Sequence, residues 1–160
     1  MQIRILKNSE ISFLKEMLYE AIFIPEGMQK PPKSIINDQL LAHYYENWGK
    51  DIYDIALVIE IDGEFIGAIW GRKFLIKEKG YGFFDEDTPE ISMAIKNEYR
   101  SKCLGTKLIE EVIEIYKDLG VKALSLSVDK QNLAYKLYVK QGFSIFSETE
   151  TSVSMIKYLS

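Results

Sequence analysis

Hydrophobic positions in the first fifty residues recur first with the period of a strand and then with the period of a helix. The segment Gln2 to Lys7 alternates weakly between apolar and polar residues and predicts a strand. Asn8 or Ser9 can cap a helix after it, because apolar residues follow at helical spacing: Ile11, Leu14, Leu18 and Ile22. A second helix is predicted over Ile35 to Trp48.

The middle of the chain predicts an antiparallel hairpin followed by a long loop. Strands over Asp54 to Ile61 and Glu64 to Ile76 meet across Asp62-Gly63, a dipeptide typical of tight hairpin turns. The segment Lys79 to Pro89 contains glycines, a proline and consecutive acidic residues, which predicts a loop of unusual length for a hairpin. Loops of this length tend to be functional or mobile.

The second half predicts a β-α-β unit and further strands. A strand over Glu90 to Ile95 precedes a helix over Leu104 to Leu119, and a strand over Lys122 to Val128 follows. A short helix over Leu133 to Lys140 and two closing strands complete the pattern. Because a crossover helix joins parallel strands, the sequence predicts a mixed α/β fold of residues 1–160 as one domain. About seven strands, mostly antiparallel with a central parallel pair, are flanked by about four helices.

Composition and charge narrow the class of protein. Of the 160 residues, 47% are hydrophobic and 28% charged, which is typical of a globular domain and excludes disorder as the main interpretation. The formal net charge of −4, without a long basic run, argues against nucleic acid as a partner. One histidine and one cysteine cannot form a usual zinc site or an intramolecular disulfide, so no metal is expected.

Membrane and export signals are also weak. The apolar runs are far shorter than a membrane span, and the polar N-terminal residues lack the apolar stretch of a signal peptide. We therefore expect a cytoplasmic protein with no membrane partner.

The clearest chemical signal is the turn between the Glu90 to Ile95 strand and the long helix. Its residues are Arg100, Ser101, Lys102, Cys103, Leu104, Gly105 and Thr106. A helix N-terminus presents unpaired N–H groups and partial positive charge, which suits a phosphate or pyrophosphate. Arg100 and Lys102 add formal charge. Many turns of this kind hold a glycine and a basic residue, so the turn alone is a weak indication of anion binding.

The wider context resembles the acetyl-coenzyme A-binding motifs of the GCN5-related N-acetyltransferases. In that family the turn reads Gln/Arg-x-x-Gly-x-Gly/Ala; Arg100 and Gly105 match the first and last positions, whereas Cys103 replaces the first glycine. The family's second signature is an asparagine, then a tyrosine, then Gly-Phe. It is matched in order and spacing by Asn132, Tyr138 and Gly142-Phe143. The resemblance covers Asp54 to Phe146, and the first fifty residues by their layout only.

The resemblance implies how the cofactor, acetyl-coenzyme A (acetyl-CoA), would be held. The two parallel strands splay apart in this family, and the exposed backbone of the first pairs with pantetheine; the corresponding residues here are Met93, Ala94 and Ile95. The amides of the turn from Arg100 to Thr106 hold the pyrophosphate. Asn132 resembles a residue that contacts the cofactor arm, but it is equally well placed to cap the following helix.

Acetyl transfer to an amine requires a base and an acid. An amine with a pKa near 10.4 is neutral to only about 4 parts in 10,000 at pH 7, so its deprotonation costs about 4.6 kcal/mol. We expect Glu90 to assist as the base, directly or through water. Tyr138 matches the family position that commonly donates a proton to the leaving sulfur. The expected reaction is direct transfer in a ternary complex to a primary amine of an unidentified small molecule or peptide.

The acceptor side has less pattern to compare. In this family the first helices and the long loop usually shape the acceptor pocket, and the candidates here are Tyr19, Phe23, Tyr44, Trp48, Trp70, Arg72 and Tyr81. For Arg72 a structural ion pair is favoured over a clamp on a substrate carboxylate. The acidic run Asp85, Glu86 and Asp87 either draws a cationic amine toward the cleft or is a solvated loop. His43 is expected to be a half-exposed helix residue.

Three alternatives stay open at this point. The chain could keep an acyl-CoA cleft without catalysis, as a sensor or interaction module. The fold could instead bind no thioester, with Cys103 filling the turn. As a third alternative, Cys103 could be a reactive thiol at a helix N-terminus, as in a Cys-His hydrolase or a redox sensor. If the turn requires a positive φ at Cys103, this residue costs about 1 to 2 kcal/mol, which could weaken cofactor affinity up to about thirtyfold. Exposed edge strands over Ser147 to Tyr158 also leave a homodimer open.

Overall fold

The computed structural model describes residues 1–160 and has one seven-stranded sheet at its centre. The strands are β1 (Gln2–Ile5), β2 (Ile55–Ile61), β3 (Glu64–Arg72), β4 (Glu90–Ile95), β5 (Ala123–Asp129), β6 (Ser144–Glu148) and β7 (Ser152–Tyr158). Their spatial order is β1-β2-β3-β4-β5-β7-β6, and every neighbouring pair is antiparallel except β4 and β5. The predicted mixed fold with a central parallel pair is confirmed.

Helices cover both faces of the sheet. They are α1 (Ile11–Ala21), α2 (Gln39–Ala42), α3 (Leu104–Asp118) and α4 (Ala134–Lys140). Asn8 and Ser9 lie within a short 3₁₀ turn, Asn8–Glu10, that leads into α1 rather than capping it. Every helix falls short of the length and apolar character that crossing a bilayer would require.

The predicted helix over Ile35 to Trp48 is wrong in extent. A 3₁₀ turn covers Lys33–Asn37, and the extended backbone of Asp38 (ψ 138°) separates it from the short α2. The Asp38 carboxylate accepts the Leu40 N–H at 3.1 Å, which begins a new helix at that point. The chain then runs through turns to Gly49, with Asn47 at φ 54°. Local capping and left-handed residues therefore interrupt an apolar pattern that has helical spacing.

The hydrophobic core lies in two layers, because successive side chains of a strand point to opposite faces. Leu57 and Ile59 of β2 pack with α3 on one face, in a cluster that also contains the buried Tyr116. Val58, between them, packs with α1 on the other face, in a cluster that contains Trp70. Residues from the two faces can meet only where the sheet itself opens.

The C-terminal strands differ from the expectation of an exposed edge over Ser147 to Tyr158. β7 lies inside the sheet, paired with β5 on one side and with β6 on the other. The edge strand is β6, which ends at Glu148. The chain turns back after β6 and inserts β7 between β5 and β6, an ordering that local sequence signals do not specify.

Candidate active site

The sheet opens between β4 and β5. Their register consists of the single pair Glu90 and Ser125, where the Ser125 N–H donates to the Pro89 carbonyl at 3.0 Å. On the other side of β4, the Lys96 N–H donates to the carbonyl of Ile66 in β3. Peptide groups alternate in direction along a strand, so those of Met93 and Ile95 point away from β3 and toward β5. No β5 residue pairs with them there.

A cleft with a volume of about 400 Å³ occupies this opening. On the α4 side its lining includes Met93, Val128, Asn132 and Tyr138. On the α1 side it is lined by Leu18, Ala21, Phe23, Leu41, Tyr44 and Tyr81. One continuous cavity therefore connects the two faces of the sheet, and Glu90 points to the α1 face.

Glu90 is held by a hydrogen bond that the sequence did not reveal. Its side chain is buried, with the residue only 4% exposed, and the Tyr44 hydroxyl donates to its Oε2 atom at 2.5 Å. The same hydroxyl accepts the Tyr81 N–H at 2.8 Å. The Oε1 atom has no hydrogen-bond partner, and neither does the buried hydroxyl of Ser125 on the adjacent strand.

Burial raises the pKa of Glu90 from its ordinary value of 4.5 to about 7, although the hydrogen bond from Tyr44 opposes the shift. A carboxylate that titrates near neutral pH can both take up and release a proton under physiological conditions. The Oε1 atom itself is buried against Gly80 of the preceding loop. Glu90 therefore has the proton affinity that a general base requires.

The loop before β4 crosses directly over this carboxylate at residues 80–82. A Cβ atom at Gly80 would overlap the Glu90 Oε1 atom, and one at Gly82 would overlap the backbone of Leu126 and Ser127 in β5. The Ser154 hydroxyl holds the Tyr81 carbonyl at 3.3 Å from the far side. The two glycines predicted to mark a loop thus allow its backbone to pack closely on the site, which the composition of the loop alone could not indicate.

Tyr138 reaches the cleft from the other face of the sheet. The residue is buried on α4 and packs edge to face with Phe143, with ring centroids 5.9 Å apart. Its hydroxyl makes no hydrogen bond within the protein. Burial raises the pKa of Tyr138 to about 12, so the phenol keeps its proton at neutral pH and can donate it.

The turn before α3 forms a concave array of backbone donors. Ser101 (φ 65°) and Cys103 (φ 61°) both have left-handed backbone conformations. No acceptor in the chain receives the N–H groups from Ser101 through Thr106, and the backbone bonding of α3 begins at Lys107, whose N–H donates to Cys103. Alternating left-handed and right-handed residues create anion-binding nests of this kind. The turn therefore suits a pyrophosphate.

Close packing behind this turn explains Gly105. A Cβ atom there would lie 2.9 Å from Leu137 of α4 and 3.2 Å from Met93 of β4. Glycine lets the first turn of α3 approach both elements, which brings the free N–H groups to the end of the β4–β5 opening. The Cys103 side chain is exposed at this turn.

Two predicted cofactor residues have roles within the fold. Arg100 donates from Nε to the Ile95 carbonyl at 2.9 Å, so this peptide oxygen already has a partner. Asn132 accepts the Ala134 N–H at 3.0 Å, which caps the start of α4 while the residue also lines the cleft. Met93 remains the β4 residue in the opening whose peptide groups have neither a facing strand nor a side-chain partner.

Of the candidate acceptor residues, Phe23, Tyr44 and Tyr81 line the cleft. Trp70 belongs to the core beside α1. Tyr19 is held by a hydrogen bond of 2.6 Å from its hydroxyl to the Pro31 carbonyl, outside the cleft lining.

Arg72 forms the structural ion pair that the sequence favoured. Its guanidinium pairs with Asp54 at 2.7 Å, donates to the carbonyls of His43 and Glu46, and lies over the Trp48 ring. These contacts anchor the segment that carries Tyr44. His43 is partly buried just beyond α2 and lines a separate cavity of about 270 Å³.

The acidic loop does not line the cleft. Asp85 accepts the Asp87 N–H and the Thr88 hydroxyl, and Glu86 accepts the Ile76 N–H at 2.8 Å. These carboxylates stabilise the loop instead of forming a charged wall for the acceptor.

A sheet that opens between its two parallel strands, beside a helix that begins with a nest of free amides, defines an acyltransferase type of fold. The family model "Acetyltransferase (GNAT) family" matches residues 18–143, and the chain belongs to this family. The predicted resemblance is confirmed.

Solved structures show the same fold over the whole chain. A PaiA N-acetyltransferase from Thermoplasma acidophilum, in complex with coenzyme A, is 20% identical with a TM-score of 0.71, covering 99% of both chains. The Salmonella typhimurium protein YncA, with its cofactor acetyl-CoA, is 20% identical with a TM-score of 0.71, covering 100% of this chain and 94% of its own. A ribosomal-protein-alanine N-acetyltransferase from Brucella melitensis is 18% identical with a TM-score of 0.68, covering 99% and 100%. No curated protein matches the chain significantly.

Proposed function

We propose that the chain transfers the acetyl group of acetyl-CoA to a primary amine, with both substrates bound at once in the β4–β5 cleft. The observation that carries this proposal is the continuity of the cleft. It joins a face that presents Tyr138 to a face that presents Glu90. The amide nest lies next to the first face, because Gly105 packs against Met93 of the cleft lining. Two reactants that enter from opposite faces can meet in the opening, which favours direct transfer over a covalent enzyme intermediate.

The cofactor is proposed to bind along the edge of β4 and the start of α3. The free N–H groups from Ser101 through Thr106 would hold its pyrophosphate, with Arg100 and Lys102 adding positive charge. The backbone of Met93, Ala94 and Ile95 would face the pantetheine, with Met93 offering the unpaired peptide groups. Asn132 would contact the same arm. The relatives solved with coenzyme A and with acetyl-CoA support this assignment.

Two side chains are proposed to handle the protons. Acetyl-CoA supplies the acetyl group, whose carbonyl carbon gains a bond to the amine nitrogen and loses its bond to sulfur. Glu90 receives the proton that the ammonium group must lose and releases it to solvent. Tyr138 donates a proton to the departing sulfur and is restored by the second proton lost from nitrogen. The products are an amide, a free thiol and one proton, so the reaction balances.

The test combines cofactor binding with turnover. We expect acetyl-CoA to raise the melting temperature of the protein, and amines to release free thiol at a rate that saturates in both substrates with intersecting initial-rate lines. Parallel lines would contradict direct transfer. Binding without turnover of any amine would instead support a non-catalytic acyl-CoA sensor.

Residues 1–160 are proposed to act as one acetyltransferase domain. The cytoplasmic location and the homodimer stay predictions.

A further inference from the structure

We propose that the acceptor is a small diamine or polyamine, whose reacting amine lies in the β4–β5 opening and whose second ammonium group binds the carboxylate of Asp129. This inference rests on the proposed function and names the substrate class of the same site. It comes from the polar side chains that line the cleft on the α1 face of the sheet.

The sheet presents a row of polar side chains to the acceptor half of the cleft. The residues are Ser92, Ser127, Asp129 and Ser152. Val128 packs with α3, so its neighbours Ser127 and Asp129 point to the opposite, α1 face of the sheet. Ser152 of β7 is paired with Asp129 and shares its face. The acceptor therefore meets a polar floor that follows β5 away from Glu90.

This floor offers hydrogen bonds that the protein does not use. The hydroxyls of Ser92 and Ser127 line the cleft and make no hydrogen bond within the chain. The Ser152 hydroxyl lies 3.0 Å from that of Thr149, which leaves it capacity for a further partner. Polar groups in this position exchange hydrogen bonds with water for hydrogen bonds with a ligand.

Asp129 has no counter-charge within the protein. Its Oδ1 atom accepts the Gln131 N–H at 2.8 Å, which holds the side chain in place, whereas its Oδ2 atom has no partner. The adjacent cation, Lys130, pairs instead with Glu148 at 3.1 Å. One oxygen of a fixed carboxylate is thus left to a ligand.

The charges that line the cleft favour a cation at Asp129. No lysine, arginine or histidine lines it, and its two charged residues are Glu90 and Asp129. Both oxygen atoms of Glu90 are covered, Oε2 by the Tyr44 hydroxyl and Oε1 by Gly80. Asp129 is therefore the carboxylate that an ammonium group in the cleft can contact directly.

The distance along β5 requires a second ammonium group. Ser125 is level with Glu90, and Asp129 lies four residues further on, about 13 Å away at the rise of a strand. An amine that loses its proton to Glu90, directly or through water, cannot at the same time bind Asp129. An acceptor that uses both groups carries two separated nitrogen atoms.

The wall opposite the polar floor suits the chain between those nitrogen atoms. Its residues are Leu18, Ala21, Phe23 and Leu41. Methylene groups can pack against this wall while the ammonium groups face the floor. An amino sugar would instead place hydroxyls against apolar side chains, where they lose hydrogen bonds to water.

The experiment compares amines that differ only in the group at the far end of the chain. 1,5-Diaminopentane is set against pentylamine, which lacks the second nitrogen, and against 5-amino-1-pentanol, which replaces it with a neutral donor. Spermidine and glucosamine complete the panel. Thiol release under saturating acetyl-CoA gives kcat/KM for each amine.

We expect 1,5-diaminopentane and spermidine to exceed both pentylamine and 5-amino-1-pentanol at least about tenfold, the effect of one hydrogen bond between charged groups. Equal values for the diamine and either comparison amine overturn the inference, as does a higher value for glucosamine, and the acetyltransferase function then stands. Acetyl-CoA binding without turnover of the diamines also overturns it. Failure to bind acetyl-CoA instead removes the proposed function.

Asp129→Asn provides a second readout, because asparagine keeps the oxygen that accepts the Gln131 N–H and removes only the charge. The ratio of kcat/KM for 1,5-diaminopentane over pentylamine should fall at least about tenfold in this variant. Glu150→Gln is the matched control, since Glu150 is exposed, has no hydrogen bond or ion pair and lies outside the cleft lining. An unchanged ratio in Asp129→Asn, or an equal fall in Glu150→Gln, overturns the inference. The wild-type panel decides it if Asp129→Asn does not fold.

Discussion

Replacing Glu90 with glutamine should stabilise the protein at neutral and alkaline pH while removing its activity. The pKa of Glu90 is raised by burial from 4.5 to about 7. Below pH 4.5 the carboxyl group is protonated in both folded and unfolded chains. As the pH rises from 4.5 to 7, the unfolded chain ionises first and is stabilised relative to the folded one. At about 1.4 kcal/mol per pKa unit, this raised pKa costs the folded state about 3 kcal/mol above pH 7.

Urea unfolding of wild type and Glu90→Gln at pH 4.5 and pH 8 measures this cost directly. The difference between their free energies of unfolding should grow by about 3 kcal/mol in favour of the variant as the pH rises. Comparing the two pH values cancels any constant effect of the substitution. Glu26→Gln, an exposed position without a hydrogen bond or ion pair, should show no such growth. A pH-independent difference for Glu90→Gln would refute the raised pKa and weaken the case for this residue as the base.

Four further predictions follow from individual residues. Tyr44→Phe removes the hydrogen bond that opposes the pKa shift of Glu90, so the acid limb of the kcat/KM profile should move to higher pH; Tyr45→Phe, whose lost hydroxyl bonds the Ile36 carbonyl, should not move it. Tyr138→Phe should lower kcat at least about tenfold with little change in acetyl-CoA affinity, and an unaltered kcat would reject its role as the acid. Cys103→Gly should raise the free energy of unfolding by up to about 1 kcal/mol, because the left-handed conformation costs a cysteine about 1 to 2 kcal/mol and the greater chain entropy that glycine loses on folding offsets part of the gain. Cys103→Ala should bring no such gain. If neither stability nor acetyl-CoA affinity improves in the glycine variant, the residue is not strained. Lys102→Ala should weaken acetyl-CoA binding about threefold or more in low salt, as measured by calorimetry, whereas an equal loss for the exposed Lys107→Ala would point to a diffuse charge effect.

Local signals in the sequence were sufficient for the elements around the cofactor half of the site. The hairpin turn at Asp62-Gly63 and the helix ends at Gly120 and Gly142 all have the positive φ that such positions require. The periodicity of α3 and the strands around it predicted the β-α-β unit that puts a helix N-terminus beside the central opening. These features depend on residues close together in the chain, where turn chemistry and periodicity act directly.

Only the tertiary structure decided how the acceptor half is built. Tyr44 and Glu90 are 46 positions apart, and their hydrogen bond exists because Arg72 and Asp54 anchor the segment beyond α2 against β3. The same long-range packing brings Gly80 and Gly82 over the carboxylate and raises its pKa, since burial depends on every element that excludes water from the site. The sequence by itself determined the backbone that can receive the cofactor. The environment of Glu90, the proposed base, follows from contacts between segments far apart along the chain.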